Sequence, residues 1–123
     1  MPVKANNHLS KGYHFEQLAL KHLQQSGLQF IDKNIRFPFG ELDLIVKEGE
    51  VIVFVEVKYR ASIAYGGAIS AISPHKRKRL EMAAKAWLQS QKTHLKKPCR
   101  FDLVAITGKA TKLQIDWLKN IFQ

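Results

Sequence analysis

The sequence has one cysteine, no long apolar run and few acidic residues. A single cysteine, Cys99, excludes an internal disulfide framework and a cysteine-rich zinc site. The longest unbroken apolar run, residues 51–55, is far too short to cross a bilayer. Residues 1–9 lack the apolar stretch of a secretory signal. These absences predict a cytoplasmic protein that has no contact with a membrane.

The length and composition are those of one globular domain. The chain has 123 residues, of which 46% are hydrophobic and 24% are charged. Both fractions are close to the average of globular proteins, and the length lies within the usual range for one domain. We therefore expect residues 1–123 to form a single domain.

The positive charge is concentrated in one part of the chain. The net charge is +10, and residues 75–100 contain nine basic residues and one acidic residue, a net charge of +8. A clustered basic segment on a globular domain favours a polyanionic partner, most often nucleic acid. The alternative is a solvated, lysine-rich helix with no partner.

The hydrophobic pattern predicts an α/β fold with the order α-β-β-β-α-β and one possible further strand. Helices are predicted where apolar residues recur every three or four positions, and strands where they alternate or are β-branched. Ser73 and Pro74 form the start signal of the second helix. The predicted helices are residues 11–26 and 74–91, the strands are 28–35, 41–47, 50–58, 101–107 and 112–116, the loop is 59–72, and a closing helical turn is 117–122.

The strand over residues 51–58 contains two charged residues where none is expected. A strand this apolar belongs in the middle of a sheet, where a buried carboxylate and ammonium are costly unless they are paired or bind a metal. The two-residue period of a strand places Glu56 and Lys58 on the same face. These two residues are therefore candidates for function.

The preceding strand adds two carboxylates to this face. A two-residue loop of Glu48 and Gly49 would place Glu41 opposite Glu56, and Asp43 opposite Phe54. Paired residues share a face, so all three carboxylates and Lys58 should project the same way. A longer loop would instead place Asp43 directly opposite Glu56.

Three carboxylates on one sheet face should repel one another. Without a cation, at least one of their pKa values should rise. Oxygen ligands of this kind suit Mg²⁺ or Mn²⁺, and Glu41 is one candidate ligand. The alternative is a Glu56–Lys58 pair at the sheet edge, with Glu41 exposed in the turn.

Lys58 has two possible roles beside these carboxylates. As a neutral amine it could serve as a general base, but neighbouring carboxylates raise the pKa of a lysine. We therefore expect a charged Lys58 that holds the attacking water and offsets charge on a phosphate.

Together these residues resemble the active site of a nuclease superfamily. Leu42-Asp43, Glu56-Val57-Lys58 and an upstream helical Glu16 are similar to the PD-(D/E)XK motif of restriction-endonuclease-like proteins. Over nearly its whole length the chain resembles the YraN-like family of small bacterial predicted endonucleases, which are similar to archaeal Holliday-junction resolvases. Further residues that carry this resemblance are Asn34, Arg36, Lys76 and the segments 40–45, 53–60 and 100–102.

The resemblance implies a restriction-endonuclease-like core, with a central mixed β-sheet flanked by helices, and a role for each motif residue. Asp43, Glu56 and the Val57 carbonyl become metal ligands, and Lys58 becomes the catalytic lysine. Glu16 becomes an outer or second-metal ligand, whereas composition alone explains it as an acid near a helix N-terminus. The implied activity is Mg²⁺- or Mn²⁺-dependent hydrolysis of DNA, with branched or flapped DNA as the candidate substrate, and junction cleavage would suit a homodimer. The alternative is a catalytically silent DNA-binding or scaffold protein that keeps the fold.

Several basic residues are placed to hold the DNA backbone. Arg36 and Arg60 flank the proposed site from loops, and Lys76 lies at the start of the second helix, where it could reach a phosphate. Arg77 and Arg79 extend this basic helix. The alternative for each is a solvated surface cation or a lysine lying over the core edge. Asp102 is expected to be structural.

Overall fold

The structure is a computed structural model that describes residues 3–4, 11–62, 72–109 and 111–122. Within these ranges the chain forms two helices and a six-stranded sheet. The helices are α1 (Lys11–Gln25) and α2 (Pro74–Gln89), and the strands are β1 (Val3–Lys4), β2 (Gln29–Phe37), β3 (Gly40–Glu48), β4 (Val51–Arg60), β5 (Cys99–Lys109) and β6 (Lys112–Leu118). The predicted α/β order is confirmed, and the two-residue strand β1 is an addition that the pattern did not reveal.

The sheet is mixed and has β4 near its centre. The strands lie in chain order, and every neighbouring pair is antiparallel except β4 and β5, which are parallel. The connection between these two parallel strands contains α2, as a parallel pair requires. The apolar segment predicted to be a central strand is therefore central.

The two helices cover opposite faces of the sheet. Alternate residues of β4 belong to different apolar clusters: Val53 and Val55 pack with α1, whereas Ile52 and Phe54 pack with α2. Both faces of β4 are thus buried, which explains its almost uninterrupted apolar sequence. Neither of the described helices is long and apolar enough to span a bilayer.

Local signals set the helix boundaries. The Ser73 hydroxyl accepts a hydrogen bond from the backbone N–H of Lys76 at 3.1 Å, which caps α2, and Pro74 occupies its first position. Helix α1 ends shortly before Gly27, whose φ of 93° is the left-handed conformation that glycine adopts readily. Both predicted helix positions are confirmed to within two residues.

The predicted register of the β3–β4 hairpin is wrong. Glu48 pairs with Val51, so the two loop residues are Gly49 and Glu50 rather than Glu48 and Gly49. Gly49 has a φ of 60° and stands at the first loop position, the arrangement that a type II′ turn uses. The shift moves each partner by two residues, so every side chain keeps its predicted face.

The predicted helical turn over residues 117–122 is also wrong. Trp117 and Leu118 end strand β6, and residues 119–122 form no helix. Strand β4 continues to Arg60, so the predicted loop begins later than expected, and its residues 63–71 lie outside the described ranges.

A buried carboxylate fixes the C-terminal segment to the sheet. Asp102 on β5 is fully buried and accepts hydrogen bonds from Arg100 Nε at 2.9 Å and Nη2 at 3.0 Å. It also accepts from Trp117 Nε1 and from the Asn120 backbone N–H, each at 2.9 Å. The structural role expected for Asp102 is confirmed.

Replacing Asp102 should destabilise the protein strongly. Asp102→Ala leaves the Arg100 guanidinium and two further donors without this acceptor, so we expect a loss of about 3–5 kcal/mol in the free energy of unfolding. Asp116→Ala is the matched control, because Asp116 is exposed and accepts only from Gln114 among its described hydrogen bonds. It should cost less than about 1 kcal/mol. Urea unfolding measures both values, and equal losses would contradict the assignment.

Candidate active site

The candidate site lies where strands β3 and β4 separate. Their pairing runs from Glu48 and Val51 to Leu44 and Val55, and β3 continues beyond it paired with β2 alone. At this point the backbone N–H of Val57 on β4 donates to Asp43 Oδ2 at 2.9 Å. The Asp43 carboxylate therefore takes the place of a backbone acceptor where the ladder ends.

Strand β2, which pairs with β3, is irregular opposite Asp43. Asn34 lies between the β2 residues that pair with Leu44 and Leu42, so it lies across from Asp43. It is buried and has a φ of 53°, a left-handed conformation that asparagine tolerates better than most residues. Backbone strain of this kind is common beside functional sites.

Asp43 and Glu56 form a carboxyl pair. Continuing the observed register places them opposite each other, and both side chains line the same cleft. Removal from water, followed by the hydrogen bond to Glu56 and the charge of Glu56, raises the pKa of Asp43 well above its ordinary value of 3.8. The predicted rise in one carboxyl pKa is confirmed.

Glu16 approaches this pair from helix α1. It is buried, it lines the same cleft, and its charge contributes to the raised pKa of Asp43. The first turn of α1 contains no acidic residue, so the explanation of Glu16 through the helix dipole is wrong. Its role as a metal ligand stays a prediction.

Two lysines face the carboxyl pair. Lys76 Nζ lies 3.1 Å from Glu56 Oε2, and Lys58 lines the same cleft. Burial and the neighbouring Lys76 lower the pKa of Lys58, although Glu56 and Asp43 act in the opposite direction. The carboxylates act on Lys58 as expected, but the expected net rise of its pKa is wrong, because burial and Lys76 outweigh them.

The pKa of Lys76 shifts in the opposite direction. Burial lowers its pKa, but the interactions with Lys58 and with Glu56 outweigh this effect, so the pKa of Lys76 is raised. The positive charge beside the carboxyl pair is therefore held more firmly by Lys76 than by Lys58.

Glu41 lies at the rim of the cleft. Its carboxylate is 3.4 Å from Arg36 Nε, and both side chains are mostly exposed. Arg36 belongs to β2 rather than to a loop, which corrects its predicted position. Glu41, Asp43, Glu56 and Lys58 all line one cleft, as their alternation predicts. Metal binding by Glu41 stays a prediction.

The remaining basic residues are divided between the cleft and its surroundings. Arg79 lines the cleft and donates from Nε to the Phe39 carbonyl at 3.1 Å. Arg60 is exposed at the end of β4, not in a loop, and it does not line the cleft. Arg77 also lies outside it, with its guanidinium 4.7 Å from the ring centre of Phe122 and Nε 3.6 Å from Glu81.

The cleft has a volume of about 540 Å³. Its lining includes four acidic and four basic side chains: Glu16, Glu41, Asp43, Glu56, Arg36, Lys58, Lys76 and Arg79. The alternative of a Glu56–Lys58 pair at a sheet edge is wrong, because β4 is an inner strand and Glu56 pairs with Lys76.

The donor set suits a cation that needs few protein ligands. In the ranges that the structure describes, no three His, Cys, Asp or Glu side chains are arranged to hold a metal ion together. Mg²⁺ is commonly bound by one or two carboxylates, with water and substrate phosphate completing its shell. The Asp43–Glu56 pair, in which the charge of Glu56 helps to raise the pKa of Asp43, fits such an ion.

Comparison with known proteins gives the family. The model of the uncharacterised protein family UPF0102 matches residues 15–106. The chain belongs to the UPF0102 family. It is 42% identical over 114 residues to a UPF0102 protein of Stutzerimonas stutzeri, covering 93% of this chain and 95% of that one. It is 46% identical over 112 residues to one of Yersinia pseudotuberculosis, covering 90% and 92%. The predicted YraN-like family corresponds to UPF0102 and is confirmed, whereas membership of the PD-(D/E)XK superfamily stays a prediction.

The contact between Lys76 and Glu56 in this UPF0102 protein was not predicted from the sequence. Ser73 and Pro74 indicate that Lys76 lies in the first turn of α2. They do not indicate that this turn lies beside Glu56, because a connection of more than ten residues separates α2 from β4. The place of Lys76 at the start of the second helix instead suggested a phosphate contact.

Asp43→Asn should stabilise the metal-free protein in a pH-dependent way. A carboxyl group whose pKa is raised by folding favours the native state below its unfolded pKa, and this contribution is lost as the pH rises through the folded pKa. The variant should therefore match the wild type near pH 3.8 and exceed it by about 1 kcal/mol at neutral pH.

Thermal unfolding in EDTA across this pH range measures the difference. Asp116→Asn is the control, because Asp116 is exposed. A difference between Asp43→Asn and wild type that does not change with pH would contradict the raised pKa of Asp43.

Proposed function

We propose that this UPF0102 protein is a metal-dependent nuclease that hydrolyses DNA phosphodiester bonds. The observation that carries the proposal is the pair formed by Asp43 and Glu56 in a cleft that also contains Lys58, Arg36 and Arg79. A protein that only bound DNA would gain nothing from buried carboxylates in this place, because they repel phosphate. The resemblance to PD-(D/E)XK nucleases supports the same activity.

Asp43 and Glu56 would hold Mg²⁺ or Mn²⁺. When bound, such an ion polarises the scissile phosphate and lowers the pKa of a bound water. The chain contributes a fixed position for both carboxylates, because Asp43 accepts the Val57 N–H and Glu56 lies on a central strand. The Val57 carbonyl and Glu16 remain candidates for further ligands.

Lys58 would act on the phosphate rather than on the carboxylates. It lies two residues after Glu56 and lines the cleft, so its amine can orient the attacking water or offset charge on the phosphate oxygens. Its lowered pKa makes proton exchange with that water easier than for an exposed lysine.

The exposed arginines of the cleft would position the DNA backbone. Arg36 and Arg79 are both exposed, lie on β2 and α2, and line the cleft that contains the carboxyl pair. Guanidinium groups bind phosphate through two parallel hydrogen bonds and carry no base specificity. A preference for branched or flapped DNA, and a homodimer to cut a symmetric junction, follow from the similarity to resolvases.

Cleavage should require Glu56 but not a nearby exposed carboxylate. Glu56→Gln should reduce cleavage at least about 100-fold, because the cation loses a ligand. Glu81→Gln, on the exposed side of α2, should retain wild-type activity. The assay follows labelled duplex, single-stranded, flapped and four-way DNA with Mg²⁺, Mn²⁺ or EDTA.

DNA binding in EDTA separates the enzyme from a silent binding protein. Glu56→Gln should bind DNA as tightly as wild type or more tightly, because a negative charge beside the phosphate is removed. Wild-type protein that is folded and binds DNA but cuts no substrate with either metal would favour the DNA-binding or scaffold function instead.

The affinity for DNA should depend on salt through the arginines of the cleft. Counterion release gives a slope of about −0.9 in log affinity against log salt for each phosphate neutralised. Replacing Arg36 and Arg79 together by Gln should reduce the magnitude of this slope by about 1–2. Replacing Lys21 and Lys112, which are exposed and outside the cleft, should change it less. Equal changes for both pairs would show that DNA does not bind in the cleft.

A further inference from the structure

Lys76 occupies a place that the proposed reaction does not explain. Its ammonium forms an ion pair with Glu56 Oε2 at 3.1 Å, inside the site rather than at its rim. Glu56 is only 7% exposed, so this oxygen has little access to water. An oxygen proposed to bind a divalent cation is therefore already held by a cation of the chain itself.

The backbone of Lys76 is fixed, whereas its ammonium can change position. The backbone of Lys76 is fixed by the Ser73 cap in the first turn of α2. Its side chain is a flexible four-carbon stem that is 32% exposed, so the ammonium can leave Glu56 for the cleft without moving the helix. The ion pair between Lys76 and Glu56 can therefore form and break while the helix stays in place.

Two cations at one carboxylate oxygen compete. An ammonium at hydrogen-bond distance satisfies the oxygen that an incoming ion needs, and its charge repels that ion. Lys58 lines the same cleft and, whenever it is protonated, its charge adds to this repulsion.

We propose that Lys76 is an internal counter-ion of Glu56 that competes with the divalent cation for the carboxyl pair. The inference rests on the proposed function, because it assumes that Asp43 and Glu56 bind a metal. Lys76 holds the pair when the cation is absent and gives up Glu56 when the cation binds. It is therefore a positioning residue that sets the affinity of the site for its metal.

The direct test is the affinity for Mn²⁺ alone, measured by electron paramagnetic resonance or titration calorimetry without DNA. Lys76→Met, which keeps the length of the side chain and removes its charge, should bind Mn²⁺ about three to ten times more tightly than wild type. Lys76→Arg keeps the charge and should remain close to wild type. Lys78→Met is the matched control on the exposed side of α2, and it should leave the affinity unchanged.

Thermal unfolding gives a second readout. Lys76→Met should melt at a lower temperature than wild type in EDTA, and the gap should close in saturating Mn²⁺, which then balances the carboxylates in both proteins. A merely structural lysine would leave the same gap in both conditions.

The outcomes separate this inference from the proposed function. Equal Mn²⁺ affinity of wild type and Lys76→Met would overturn the competition, even if DNA is cleaved. Tighter binding by Lys76→Met without cleavage of any substrate would support the counter-ion and contradict the nuclease. If wild type and Lys76→Met are both folded and neither binds Mn²⁺, both this inference and the proposed metal dependence are overturned.

Discussion

The site depends on one hydrogen bond that ends a β-ladder. Where β3 and β4 separate, the Val57 N–H donates to the Asp43 carboxylate instead of to a backbone carbonyl. This bond satisfies a backbone donor of the central sheet and at the same time fixes a charged side chain beside Glu56. The opening of the cleft and the position of its acids therefore have the same cause.

Keeping two acids in this place has an energetic cost that the chain offsets only in part. The raised pKa of Asp43 shows that the metal-free pair is not fully balanced, although Lys76 contacts Glu56. Asp102, a fully buried carboxylate, by contrast accepts hydrogen bonds from four donor groups. The two acids illustrate the difference between a satisfied structural charge and a charge that the fold leaves available, which is typical of a functional site.

The sequence predicted which residues share a face, but not how the strands pair. Alternation along β3 and β4 is sufficient to bring Asp43, Glu56 and Lys58 to one side. The register depends on whether Glu48 and Gly49 or Gly49 and Glu50 form the two-residue loop. A tight hairpin accepts a glycine at the first or the second loop position, so the sequence does not decide between them. Because the error moved each pairing partner by two residues, every side chain kept its predicted face of the sheet. The predicted helical turn over residues 117–122 was wrong because Trp117 and Leu118 fit a helical turn as well as the end of a strand. Their pairing with β5 is non-local, so the local pattern does not reveal it.

The net charge of the sequence overstates the cations that a polyanion can use. Within the basic segment, Arg100 is held by Asp102 and Glu48, and Lys97 lies 3.5 Å from Glu50. Lys76 faces Glu56 and Arg77 lies outside the cleft. Arg36, an exposed arginine that lines the cleft, comes from a part of the chain with almost no net charge. Location in the fold, rather than the density of basic residues along the sequence, therefore decides which of them can meet a phosphate.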